Sequence, residues 1–123
     1  MMSIKEMLKG AIEGTGDLAT SLMGAATKIV KEGTADVGEI FGSVIELGSE
    51  GVVDVTEGFK DVFVGAVKAL EESGKTTEEA VEEVTIKATS AVSNVTKEGI
   101  EDVSSAAQKG IEEAKEIVKK PIS

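Results

Sequence analysis

Apolar side chains recur along this chain three and four residues apart, the spacing of an α-helix that turns one face to a core. A first stripe runs through Ile4, Leu8, Ile12, Leu18 and Leu22. A second runs through Val37, Phe41, Val44, Gly48, Val52, Val55, Phe59, Val62, Ala66 and Leu70. A third, Val81, Val84, Ala88, then Val92, Val95, Gly99, then Val103, Ala106, Gly110, repeats its triplet every 11 residues and ends on Ala114 and Ile117. The pattern predicts an all-α fold in one domain: an N-terminal helix over 3–24, a long helix over 27–72, a turn at 73–76, a long helix over 77–119 and a short tail at 120–123. The two long helices form a long antiparallel hairpin, with the N-terminal helix folded back on it as a three-helix bundle or extending it into a longer assembly. An 11-residue repeat winds at about 3.67 residues per turn, so the hairpin packs straight or slightly right-handed, unlike a heptad coiled coil.

Local signals support one break. Gly74 suits the left-handed residue just past a helix end. Thr76 followed by Glu79 is a capping box, and the acidic first turn matches the helix dipole. Lys119-Lys120-Pro121 closes the last run. The middle run also carries more large side chains than one stripe holds (Ile40, Ile45, Leu47, Val53, Phe63 and Val64), so it buries more than one face.

A six-residue phrase, Glu-Gly-x-x-Asp-Val or a near copy, recurs through these stripes. It spans Glu13–Leu18, Glu32–Val37, Glu50–Val55, Glu57–Val62 and Glu98–Val103, with a looser copy at Lys109–Ala114. Offsets of 18, 7 and 11 residues between copies are close to whole helical turns. The phrase therefore reads as a packing unit, with its glycine and valine on the buried stripe. The helix-packing residues so assigned are Gly33, Val37, Gly51, Val55, Gly58, Val62, Val92, Val95, Gly99, Val103 and Gly110. The interval from the first copy to the second is 19, which slips the face by about 100° and predicts a bend near 20–28. Each full copy also sets two acids at i, i+4, an unfavourable pairing on an isolated helix. Such pairs are expected to form a solvated ridge, or to meet a lysine of a neighbouring chain or a divalent cation.

Composition then narrows the chemistry. The 123-residue chain has no His, Cys, Trp, Tyr or Arg, and its 13 basic residues are all Lys. It therefore lacks the usual general base near neutral pH, the thiolate nucleophile and the commonest transition-metal ligands. Paired acids in a helical bundle that hold two metals use Glu-x-x-His, which is not present. Gly10-x-x-x-Gly14-x-Gly16 has no following Lys-Ser/Thr and is not a phosphate loop. These features predict no enzyme, no cofactor and no metal site. A net charge of −10 opposes nucleic acid and anionic membranes. Neither a secretory leader nor a transmembrane segment is expected, and a cytoplasmic location follows as the default.

Thr96-Lys97-Glu98-Gly99-Ile100 and Val30-Lys31-Glu32-Gly33-Thr34 resemble the Lys-x-Lys-Glu-Gly-Val core of synuclein repeats. The wider texture is similar to group 3 late-embryogenesis-abundant proteins, and the size, helical character and acidity look like those of phasins. These resemblances imply amphipathic helices that lie on a lipid or polymer surface, although the acidic flanks here replace the lysine-rich flanks of synucleins. Two functions are thus expected. The first is a non-catalytic structural protein that self-assembles or scaffolds as a homo-oligomer through its Gly/Ala/Val stripe. The alternative is an amphipathic coat on a neutral lipid or polymer inclusion.

Overall fold

The computed structural model describes residues 3–15, 18–33, 35–96 and 101–119, side chains of 14, 15, 18–21, 95, 96, 101 and 102 excepted. Six helices account for nearly all of them: α1 (Ile4–Thr15), α2 (Leu18–Glu32), α3 (Val37–Ser49), α4 (Val55–Glu72), α5 (Thr77–Thr96) and α6 (Glu101–Lys119). No strand occurs among the described residues, and the helices pack as a bundle.

The long helix expected over 27–72 is therefore three helices. Gly33 and Gly51 take φ of 70° and 79°, the left-handed region where a Cβ is disfavoured. At the second break Val52 N–H donates to Leu47 O (2.9 Å) and Gly51 N–H to Gly48 O (3.1 Å), so the last carbonyls of α3 are satisfied as the chain turns away. The next helix is then started by an aspartate. Asp36 accepts from Gly38 N–H at 2.7 Å before α3, and Asp54 accepts from Glu57 N–H at 3.1 Å before α4. The helical phase survives these turns because helix plus turn spans 18 residues, about five whole turns. The bend expected near 20–28 is likewise displaced: α2 runs unbroken through that segment and ends at Glu32.

Between α4 and α5, Gly74 has φ of 109° and Lys75 N–H reaches Leu70 O at 3.1 Å. The capping box closes in both directions, Thr76 N–H to a Glu79 carboxylate oxygen (3.0 Å) and Glu79 N–H to Thr76 Oγ1 (3.1 Å). The long helix expected over 77–119 is also replaced, by α5 and α6 side by side. Thr77 and Lys119 line one hollow and Thr89 and Gln108 the next, so α5 and α6 run antiparallel.

Helix α4 is the centre of the molecule and touches α2, α3, α5 and α6. Helices α2 and α6 flank it and run parallel to it: α2 meets it at Met23–Gly65 and at Lys31–Glu72, and α6 meets it at Ala106–Thr56 and Glu113–Lys60. Helix α3 returns antiparallel through Val44–Gly58 and Gly48–Val55, while α1 packs on α2 and α3. Burial explains why the chain folds back rather than extending. Ile40, Ile45, Leu47, Val53 and Phe63 are buried and Val64 is half-buried. On a straight rod these side chains would lie outside the stripe in water, and burying each contributes roughly 1.5–3 kcal/mol.

Candidate functional site

The feature of this fold with the most specific geometry is the set of close approaches around α4. At Gly65 the backbone of α2 comes so near that a Cβ would stand 2.5 Å from Met23 O. Thr27 bridges the same contact, its hydroxyl lying 2.9 Å from Met23 O and 3.0 Å from Gly65 O. On the other flank a Cβ at Gly110 would lie 2.9 Å from Phe59 Cβ and collide with Thr56 O, while Thr56 Oγ1 donates to Ala106 O at 2.9 Å. Gly58 admits Val44, whose Cγ1 would be 2.6 Å from an added Cβ. Missing side chains at three points thus let three helices approach one. At two of these crossings a threonine hydroxyl also joins neighbouring backbones in a place where dispersion is strongest.

The sequence-assigned packing residues divide accordingly. Gly58 and Gly110 sit at the α4 crossings, Val37, Val62 and Val92 are buried, and Val55 and Val103 are half-buried against the core. Gly33 and Gly51 are corrected: both are exposed turn residues, and their role is the left-handed φ. Gly99 and the side chain of Val95 lie outside the described residues. Gly65, Thr27 and Thr56 were missed by sequence reasoning. Gly65 belongs to no copy of the phrase, and only its place about one turn from Val62 among apolar neighbours hinted at a contact.

The repeated acids also find their partners. Asp36 caps α3 and pairs with Lys87 of α5 at 3.0 Å, Glu50 pairs with Lys5 of α1, and Glu57 with Lys60 at 2.9 Å. The expected cationic neighbour is thus a lysine of the same chain at these positions. The pair at Glu98/Asp102, like Asp17, falls outside the described residues or side chains. Asp61 is 2% exposed, the one buried charged side chain among those described. It belongs to Glu57–Val62, a copy of the phrase that lies within α4. No group of three or more metal-ligating side chains occurs among the described residues.

These contacts make the fold pH-sensitive at both ends. The Gly38 N–H, and then Lys87, hold the Asp36 carboxyl below its ordinary range; Ser3 does the same for Glu6 and Thr76 for Glu79. A depressed carboxyl stabilises the fold above its unfolded pKa near 4 and loses that contribution as pH falls through the folded value. Glu50 raises Lys5 and Glu57 raises Lys60, so their contribution is complete below about pH 10 and is lost as pH rises through their folded values. Urea midpoints are expected to be level from about pH 5 to 10 and to drop on both sides; Asp36→Ala should shorten the acid-side drop and lower the plateau by about 1 kcal/mol.

Open hollows lie between the helices. One of about 510 Å³ on α2 and α4 is lined by Met23, Thr27, Lys28, Lys31 and Lys68. Two more, of about 380 and 420 Å³, follow the seam between α5 and α6 and share Thr85. The Thr85 hydroxyl is buried without a hydrogen-bond partner among the described residues. Replacing it by an isosteric methyl removes that penalty, so Thr85→Val is expected to raise stability by about 1 kcal/mol in urea unfolding; a loss would mean that the hydroxyl is satisfied. No protein-family model matches this chain, and neither a curated protein nor a solved structure matches it.

Proposed function

We propose that the protein is a non-catalytic structural element: a closed helical bundle that self-associates or scaffolds as a homo-oligomer. The observation that carries this reading is how the polar groups are used. Asp36 and Asp54 cap helices, Thr27 and Thr56 bridge the backbones of neighbouring helices, and Asp36 also pairs with a lysine of another helix. Stability of form is what such an arrangement supplies. The glycine contacts of the apolar stripe hold the chain's own helices together, so association falls to the outer surface. No helix among the described residues is long and apolar enough to cross a membrane, and the cytoplasm is the compartment we assign. Sedimentation equilibrium with circular dichroism tests the reading. A helical particle above monomer mass is expected; a monomer at every concentration would refute self-association.

A second reading, the amphipathic coat suggested by the resemblance to synucleins, late-embryogenesis-abundant proteins and phasins, is favoured by one feature. Short helices are joined at left-handed glycines, Gly33, Gly51 and Gly74, where the bundle can open onto a neutral lipid or polymer surface. Flotation with a triacylglycerol emulsion is the expected outcome for a coat. Protein that remains entirely in the buffer layer counts against it.

A further inference from the structure

We infer that the outer seam between α5 and α6 is the self-association face, and that it takes a second copy of this chain across a two-fold axis running along the seam. The inference rests on the self-association proposed above and names its surface and symmetry. The hollow of about 380 Å³ has an apolar floor that includes Val81 and Ile86. Ile86 is 59% exposed, more than any other large apolar side chain described. The charges around it carry the argument. Glu78 and Glu82 stand on the α5 side, and Lys115 and Lys119 on the α6 side. None of the four joins an ion pair among the described residues, and neither do Lys9, Lys28, Lys68 and Lys109, whereas Lys5, Lys31, Lys60, Lys75 and Lys87 do.

Each row repeats one sign at i, i+4, which is unfavourable on its own helix. A second copy resolves both rows at once. Rotation about an axis along the seam lays α5 of one copy on α6 of the other, antiparallel, and sets each glutamate row against a lysine row. Rotation about an axis across the seam would set acids on acids, so the charges select one of the two arrangements. Carrying both signs on one face lets that face complement itself, as an isologous contact requires. On a chain of net charge −10, a generic cationic partner would find better acidic ground away from two lysines. At about 1.5 Å per residue α5 is about 30 Å long. A two-helix face of that length and roughly 20 Å width offers about 600 Å² per partner, enough for a weak specific interface. The apolar floor supplies affinity and the rim supplies orientation.

The test uses two charge-reversed full-length chains, Lys115→Glu/Lys119→Glu and Glu78→Lys/Glu82→Lys, with circular dichroism to verify that each keeps its helix content. In sedimentation at high micromolar concentration, the wild type is expected at twice the monomer mass and each variant at monomer mass. An equimolar mixture of the two variants should return to the doubled mass, which no effect within one chain would produce. Ile86→Lys, at an exposed position, should also be monomeric and decides the matter if a charge variant unfolds. A wild type that stays monomeric overturns this face together with self-association. A wild-type oligomer that survives all three variants, or a mixture that fails to reassociate, overturns the face and leaves self-association standing.

Discussion

Gly110→Ala is expected to cost the fold about 3 kcal/mol, as overpacking against an unyielding neighbour does, with a fall in melting temperature on the order of 10 °C. On an isolated helix the same change would be favourable by about 1 kcal/mol, since alanine is the better helix former. The sign is reversed here by what the new methyl meets. Its neighbours are Thr56 O and Lys60 N (3.2 Å), which are backbone atoms, and Phe59 Cβ, which is fixed to backbone. None can turn aside, so α6 must move off α4 and loosen the contacts of Ala107, Ile111 and Ala114 along with it. Gly65→Ala should behave similarly because Met23 O blocks it. Gly24→Ala and Gly42→Ala are the controls: nothing lies within 4 Å of a Cβ at either, so each should stabilise by about 0.5–1 kcal/mol. Urea unfolding of the four variants checks the set. If Gly110→Ala matched Gly24→Ala, the close approach of α6 to α4 would be wrong.

Phe59→Ala should be the most damaging truncation in the core, at about 3–5 kcal/mol. Phe59 is fully buried on α4, its ring 4.8 Å from that of Phe41 on α3 and tilted by 38°, and its Cβ backs the Gly110 contact of α6. One side chain thus joins three helices, and its loss leaves a cavity that none of them can close alone. Domains of this kind have a net stability of about 5–15 kcal/mol, so the variant should be partly unfolded near 40 °C. Phe59→Leu keeps most of the volume and should lose about 1.5 kcal/mol. Equal losses for the two would show that the site repacks freely and that the ring geometry carries no weight.

The two meanings of Glu-Gly-x-x-Asp-Val show how far the residues could be read alone. In Glu32–Val37 and Glu50–Val55 the phrase stops one helix and caps the next, whereas in Glu57–Val62 it lies within α4. The copy at Glu57 starts only 7 residues after the one at Glu50. A break there would leave less than a full turn between caps, and a helix that short does not repay its nucleation. Its glycine is then free to become a contact and its aspartate is buried. Periodicity hid the first two breaks, since turns that preserve helical phase leave no trace in a pattern of apolar positions. Lys87 could not be matched to Asp36 either, because 51 residues separate them.

The all-helical character, the turn at Gly74 with its capping box and the apolar faces themselves were determined by the sequence, because each depends on residues within about one or two turns of one another. Which glycines end helices and which admit a neighbour was decided only in the tertiary structure. So were the central place of α4 and the folding of each expected long helix into shorter ones. A glycine specifies the absence of a Cβ, and what fills that space is set by backbone brought from elsewhere in the chain.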